Sequence, residues 1–395
     1  MMTDQRDDQL KYLAPNSNGT WTELAKQGEK PTDEQKKAQD SLKEILLTSL
    51  QMQNLIVLTG CGTSCSVGGP SMADLWVSAI GESPSLLASA VAKKINYDLN
   101  VSKPNIEDFL SRCDAYLLIK DAKNVRKLVE ECKKIILDRC SSFLDINNLE
   151  GHKTFLHRLS RRRIRDPRLK IFTTNYDLCF ERAAGDLGLV VIDGFSFTQP
   201  RYYDPRFFSY DIVRRTRAND DQSSYLEGVF HLYKLHGSVN WARGQRVNAV
   251  VKDKPTPDEA CLIYPAGGKY HQSFLQPHLE LLSQYFSALR EPNTCLIVTG
   301  FGFNDDHLSE PILSAIRSNP HLRLIIADCS ATDSIRGNGS PSRYWKELYD
   351  LSRQGEDIWF INSSFIDFAR MIPDLKSLTP ADKLMKDILN IAGGK

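Results

Sequence analysis

The chain has 395 residues, 41% hydrophobic and 25% charged, and its 50 Lys and Arg against 49 Asp and Glu leave a formal net charge of +1. That length allows one large domain with insertions or two modest ones, and those fractions describe a globular chain rather than a disordered one. The charge gives no global pull toward nucleic acid or membrane, no run approaches the ~20 apolar residues of a membrane helix, and the polar start MMTDQRDDQL lacks a signal-peptide core, so a cytoplasmic location is expected.

Residues 1–30 read as a loosely ordered arm. Thr32 then opens a helix, with Gln35 three positions on as its capping-box partner. Leu42, Ile45, Leu46 and Leu50 form one apolar stripe along it. The strand LIVLTG follows and runs into Gly60-Cys61-Gly62-Thr63-Ser64. Residues 71–165 are mostly helical: SPSLLASAVAKKI, IEDFLSRCDAYLLI and NVRKLVEECKKIILDRCSSFL repeat apolar residues every three or four positions. This stretch is long for one crossover helix and reads as a helical insertion.

RLKIFTTNYD is a buried strand with polar residues at its C-terminal end, FERAAGDLGL a short helix closed by Gly188, and VVIDGF another strand. Residues 196–272, rich in aromatics, Pro, Asp and Arg, read as a smaller module of strands and loops that includes LYKLHGS. SFLQPHLELLSQYFSALR returns to helix. TCLIVTGFGFNDDHL is a second strand and glycine turn, LRLIIADCS a further strand, and DIWFINSSFIDFARMI a last strand and helix. Strands alternating with helices predict an α/β fold, a Rossmann-like doubly wound parallel sheet with a large helical insertion and an N-terminal helical arm. The expected division is 1–53 for the arm and its helix and 54–395 for the nucleotide-binding domain.

Three motifs carry chemistry. Gly60 and Gly62 let backbone amides approach a pyrophosphate, and Thr63 and Ser64 offer hydroxyls to phosphate or ribose. The spacing is not GxGxxG, and a purely structural turn is the alternative. Thr173, Thr174, Asn175, Tyr176 and Asp177 end a strand, where ligands of open parallel sheets bind. Burying an amide beside a carboxylate is costly unless they bind something, although Asp177 could instead cap the next helix. His236 sits at the end of a strand with glycine clearance behind it, and an imidazole suits general-base duty. The nine cysteines are scattered with no Cys-Xaa-Xaa-Cys pair, so neither a zinc ribbon nor a redox dithiol is suggested. Most read as buried small hydrophobes, with Cys61 and Cys65 the candidates for reactivity. The basic run Arg158, Arg161, Arg162, Arg163, Arg165, Arg168 and Lys170 reads first as a solvated helix end, with nucleic-acid contact left open.

In their order, the glycine loop, the Thr-Xaa-Asn-Xaa-Asp element and the His-Gly pair resemble the sirtuin family. The resemblance implies NAD as substrate and cleavage of its nicotinamide–ribose bond. It assigns Asn175 to water and the nicotinamide ribose, Asp177 to the nicotinamide carboxamide, and His236 to a ribose hydroxyl. Gly60, Gly62, Thr63, Ser64 and Thr174 would hold the nucleotide. Gly300, Gly302 and Asp305 would contact its adenosine side, Asp305 holding a ribose hydroxyl or capping a helix. Asn105 to Leu110 resembles the family's helical-insert signature. The chain departs from the family at Cys61, usually alanine, at Gly302, usually serine, and at Pro70-Ser71-Met72, where deacylases continue with Pro-Asp-Phe-Arg.

Deacylating sirtuins carry a four-cysteine zinc module after the histidine, whereas only Cys261 and Cys295 lie between His236 and Gly300. No zinc or other metal is expected. The chain therefore resembles the bacterial sirtuin-like NAD hydrolases of anti-phage defence, and GGPSMADLW resembles the subunit that pairs with a HerA-type ATPase. What this implies is an NAD glycohydrolase, a homo-oligomer and a HerA-type partner, with contacts through residues 1–50 and the insertion. An NAD-dependent deacylase and a non-catalytic NAD or ADP-ribose sensor are the alternatives.

Overall fold

The apolar runs around positions 56, 171, 297 and 325 become adjacent parallel strands. The computed structural model describes residues 9–26, 28–99, 105–145, 148–160, 162, 166–214, 224–244, 249–264, 276–339 and 341–374. Its strands are β1 (Lys11–Leu13), β2 (Thr22–Glu23), β3 (Asn54–Thr59), β4 (Leu169–Thr173), β5 (Val190–Ile192), β6 (Val213–Arg214), β7 (Ser224–Tyr225), β8 (Val229–Lys234), β9 (Gly237–Ala242), β10 (Val250–Val251), β11 (Ala260–Leu262), β12 (Thr294–Thr299), β13 (Leu322–Asp328) and β14 (Ile358–Asn362). Nine of these form one sheet in the order β2-β1-β14-β13-β12-β3-β4-β8-β5. Pairing is parallel from β14 to β5 and antiparallel around β1. From β3 the chain proceeds to β4 on one side, while β12, β13 and β14 build outward on the other. The topological switch point, where such sheets bind ligands, therefore lies between β3 and β12.

The helices are α1 (Asp33–Leu50), α2 (Gly62–Cys65), α3 (Met72–Ala79), α4 (Leu86–Lys94), α5 (Ile106–Ile119), α6 (Lys123–Ser142), α7 (Glu150–Leu159), α8 (Cys179–Leu187), α9 (His278–Arg290), α10 (Asp306–Ser318), α11 (Ala331–Arg336), α12 (Arg343–Gln354) and α13 (Phe365–Met371). Helix α1 begins at the Thr32–Gln35 capping box, both reciprocal hydrogen bonds being made. Ala38, Leu42, Leu46 and Leu50 are its buried stripe, with Ile45 half-buried beside it. Helices α1, α7, α8 and α13 cover one face of the sheet, and α9, α10 and α12 the other. Strands buried on both faces read as unbroken apolar runs rather than alternating ones.

Two expectations of organisation are corrected. The N-terminal arm does not lie outside the sheet: Lys11–Leu13 pair with Phe360–Asn362 and continue into β2. Buried Leu10, Tyr12 and Leu24 anchor this hairpin into the same core as α1. Residues 1–8 and the tail 375–395 lie outside the described residues. The insertion is also shorter than 71–165. Helices α3 to α6 build a separate core with Val239, Ala260 and Leu262, whereas α7 packs on α8 and α13 as part of the sheet's own cover. Within 196–272, β8 belongs to the main sheet, while β9, β10 and β11 form a small sheet and β6 and β7 a two-stranded one.

Three described arginines of the basic run make structural contacts. Arg162, with a buried side chain, donates to the carbonyls of Leu50, Met52, Gln53 and Pro167, closing the turn after α1. Arg158 donates to the Ile372 carbonyl, and Arg168 pairs with Asp211 at 2.8 Å. Arg161, Arg163 and Arg165 lie outside the described residues. No described helix is long and apolar enough to cross a membrane.

Candidate functional site

The parallel strands end in register. Thr299 on β12 pairs with Thr59 on β3, Thr59 with Thr173 on β4, and Thr173 with Lys234 on β8. Three threonines and a lysine thus form one row at the carboxyl edge. The hydroxyls of Thr59 and Thr299, flanking the switch point, are buried with no hydrogen-bond partner among the described residues. Unsatisfied buried hydroxyls are costly and uncommon. Thr173 instead accepts from the Asn175 amide at 3.1 Å, turning the chain out of the sheet.

The two glycine turns meet each other above this row. Gly62 N–H donates to the Gly300 carbonyl at 2.9 Å. A Cβ on Gly60 would lie 2.7 Å from the Gly300 oxygen, and one on Gly62 would lie 2.7 Å from the Gly300 Cα. Gly300 adopts φ +61°, and a Cβ there would come within 2.5 Å of the Thr63 nitrogen. The glycines of both motifs are thus required by loop-on-loop contact, a reason that reading them singly does not reveal. Gly302 is exposed, and its carbonyl accepts from the Trp345 indole at 3.3 Å.

Beneath the loops a directed network runs from Asn175 to Asp177. The Asn175 side-chain nitrogen faces the Gly60 carbonyl at 3.0 Å, the Thr63 hydroxyl at 3.1 Å and the Ser64 hydroxyl at 3.0 Å. A carbonyl can only accept, so the atom facing Gly60 must be the amide nitrogen. The amide oxygen consequently points away from these three. The Thr63 hydroxyl donates a hydrogen bond to the Gly60 carbonyl at 2.9 Å, and Ser64 donates to Asp177 Oδ2 at 2.7 Å. Asp177 Oδ1 accepts the Cys179 amide at 3.0 Å, so this carboxylate joins the network and caps the start of α8 together. The hydroxyls of Thr63 and Ser64 are buried and internally engaged, contrary to the expectation that both are offered to a ligand. Thr174 ties β4 to β3 through its amide and the Thr59 carbonyl at 3.0 Å.

The His236 turn is stitched to this segment. The Tyr176 carbonyl accepts from Val239 N–H at 3.0 Å, Ser238 Oγ at 3.3 Å and Lys234 Nζ at 3.3 Å. Tyr176 Oη donates to the Ile263 carbonyl at 2.6 Å, and Ile263 N–H donates to the His236 carbonyl at 2.9 Å. Gly237 is obligatory here: at φ +84° its Cβ would lie 2.1 Å from the Cys261 oxygen. His236 is buried, and its Nε2 lies 3.4 Å from Nε2 of His307, in the first turn of α10. Behind it, burial depresses His278 to about 4, and the His278 Nδ1 sits 3.1 Å from the Leu235 carbonyl.

Several contributors were not singled out from sequence. Lys234, 1% exposed, donates to the Asp177 carbonyl and pairs with Glu181 of α8 at 3.0 Å. Burial raises the Glu181 carboxyl, partly offset by the Lys234 charge. A lysine inside the apolar run VFHLY was the available signal. His307, at the end of the run GFGFNDDH, is another such contributor. Asp305 occupies the N-cap position of α10 without a side-chain capping bond, so the capping alternative is not realised. Asn105 does cap its helix α5, accepting the Glu107 amide at 2.8 Å. Six cysteines are buried, while Cys61, Cys65 and Cys329 are exposed. Contact between the Cys61 and Cys65 thiols raises the first and lowers the second. A groove of about 460 Å³ lies elsewhere, bordered by Leu10, Leu42, Leu46, Arg158 and Met371, away from this cluster.

Residues 169–347 match a family model described as a SIR2-like domain. Comparison with curated proteins finds no match. Among solved structures, the chain resembles a Sir2 homologue–NAD complex at 14% identity and TM-score 0.44, covering 83% of this chain and 91% of that one. It also resembles a Sir2 homologue mutant with 2'-O-acetyl ADP ribose at 14% identity and TM-score 0.42, covering 86% and 99%. A structure described as addressing the mechanism and regulation of Sir2 enzymes matches at 12% identity and TM-score 0.42, covering 89% and 99%.

Proposed function

We infer that this chain, with its SIR2-like segment, is an NAD glycohydrolase that converts NAD and water to nicotinamide and ADP-ribose. The observation that carries the reading is the pinned Asn175 amide. Its nitrogen is consumed by Gly60, Thr63 and Ser64, which directs its oxygen out of the network at the carboxyl edge of β4. An oxygen so directed can accept from a water or a ribose hydroxyl. The segments carrying Asp177 and His236 are joined at the Tyr176 carbonyl, which accepts from Val239, Ser238 and Lys234.

Breaking the glycosidic bond releases neutral nicotinamide and leaves an oxocarbenium-like ribose, so the site must chiefly position and stabilise. In this reading Asn175 holds the water, Asp177 faces the carboxamide, and His236 takes the proton that water loses on attack. The glycine turns, with Thr174, Gly302 and Asp305, border the nucleotide, and Thr63 and Ser64 act behind them by holding Asn175 and Asp177. The wider role proposed with it is NAD depletion in anti-phage defence by a homo-oligomer gated by a HerA-type ATPase. The absence from 237–299 of a four-cysteine set supports hydrolysis over deacylation.

The test is nicotinamide release from NAD by the purified chain, alone and with a HerA-type ATPase, beside Asn175→Ala and His236→Ala. Release lost in both variants is expected. Release that survives both would remove these residues from the chemistry. No release under either condition, with NAD still bound, would favour the sensor, and turnover only with an acylated peptide would favour the deacylase.

A further inference from the structure

We propose that His307 is a positioning residue for His236, the two imidazoles holding and titrating protons as one unit. This rests on the glycohydrolase reading for its catalytic consequence, but the pairing itself stands on geometry. The two Nε2 atoms are 3.4 Å apart, and the rings lie 5.6 Å between centroids at 29°. Each neutral imidazole carries one N–H and one bare nitrogen. Two facing Nε2 atoms are therefore satisfied only when one ring presents its proton and the other its lone pair. That couples the tautomers of the two rings: whichever carries its proton on Nε2, the other leaves its Nε2 bare.

A further proton on the pair strengthens the shared bond, because an imidazolium then donates to a neutral ring. A second would place N–H against N–H and two cations side by side. The first protonation is favoured and the second opposed, so the apparent values belong to the pair. The surroundings favour one shared positive charge. Asp305 and Asp306 directly precede His307 at the start of α10, with Asp306 also beside the Tyr344 hydroxyl of α12. Across the cleft, Asp305 acts on both Cys61 of the β3 loop and Tyr176 of the β4 loop, and Asp328 at the end of β13 also acts on Cys61. Asp177 lies on the β4 side with the Lys234 ammonium behind it, and neutral His278 and Cys261 back the His236 turn.

His307 enters through α10, an element that also carries the second glycine turn. Anything that moves Gly300 relative to Gly62 would carry His307 with it. The pair is thus the point where the adenosine-side loop reaches the proposed general base.

The test compares the full chain with His307→Phe, which keeps a flat ring without nitrogens, and His307→Gln, which keeps an N–H donor. Imidazole ¹H–¹⁵N spectra across pH read the pairing, and nicotinamide release across pH reads its consequence. In the wild type, His236 and His307 should titrate in two linked steps. In His307→Phe, kcat should fall roughly 10- to 100-fold, taking as a guide the loss seen when a metal-bound histidine loses its orienting partner, with KM little changed. The acid limb should move to lower pH, because His236 loses the partner that stabilised its charged form. His307→Gln should recover part of the rate. An unchanged pH profile and rate in His307→Phe, with wild-type cleavage intact, would overturn the inference and leave the glycohydrolase reading standing. Linked titration in a wild type that does not cleave NAD would do the reverse. Independent single-site titration of the two imidazoles would overturn the pairing outright.

Discussion

Replacing Lys234 by methionine tests what holds the Asn175–Asp177 segment in place. The Lys234 side chain is 1% exposed and the Glu181 side chain 26% exposed, with the charges 3.0 Å apart. Methionine keeps most of the volume, so the loss is electrostatic rather than a cavity. Removing one partner of a buried pair costs about 3–5 kcal/mol, and the partial exposure of Glu181 places this case near the lower bound. The Tyr176 carbonyl keeps Val239 and Ser238 as donors, whereas the Asp177 carbonyl loses the lysine altogether. The expected cost is therefore about 3 kcal/mol, read from the midpoint of urea unfolding at constant slope. Glu181 already has a raised pKa from burial. A group raised in the folded state contributes most below its unfolded pKa and loses that contribution as pH rises through its folded value. The deficit of Lys234→Met relative to wild type should accordingly be smaller near pH 4 than at neutrality. Adding Glu181→Gln should return roughly 1–2 kcal/mol of it, since no uncompensated charge is then buried. A cost below about 1 kcal/mol, or a double variant no more stable than the single one, would refute the claim that this pair anchors the segment.

Gly300→Ala should cost at least about 1–2 kcal/mol from the left-handed backbone alone, and more because its Cβ would stand 2.5 Å from the Thr63 nitrogen; chemical denaturation measures it, and a neutral result would show that the two loops separate freely. His152 lies between Phe180 and Phe365, each 5.0 Å away, and burial depresses it to about 4 from 6.5. Its neutral form supports the fold above pH 6.5, and that support is lost as pH falls toward 4. His152→Phe should therefore gain on wild type by roughly 3 kcal/mol across that window, a change of slope visible in unfolding midpoints measured at each pH; parallel curves would show that His152 is not the titrating group.

The alternation of strand and helix was legible because buried parallel strands leave unbroken apolar runs and α1 begins at a capping box. The division of labour around 71–165 was not. Helical periodicity is the same whether a helix faces its own core, as α6 does, or the sheet, as α7 does. The N-terminal hairpin escaped notice because strands of three and two residues leave no period to count. That Asn175, Asp177 and His236 stand together near strand ends was legible, because polar groups at the ends of apolar runs stand out. Lys234 and Glu181 were not, being 53 residues apart and meaningful only as a pair. Gly60 and Gly62 were read for close approach to a phosphate, whereas the neighbour that fills the space a side chain would take lies on another loop 240 residues away from Gly60.

The hairpin of β1 and β2 has a consequence for any truncation. Lys11, Tyr12 and Leu13 satisfy the ladder of β14, and the Asn362 side chain donates to the Gln9 carbonyl at 2.9 Å. Removing residues 1–30 would bare the backbone edge of β14, an apolar strand otherwise without a free side. An uncovered edge of that kind recruits other chains. A shortened protein that forms larger particles would then be reporting an open sheet margin, and one that stays monodisperse would show that α1 alone can shield it. Assembly measured on such a truncation reads edge protection before it reads any natural partner.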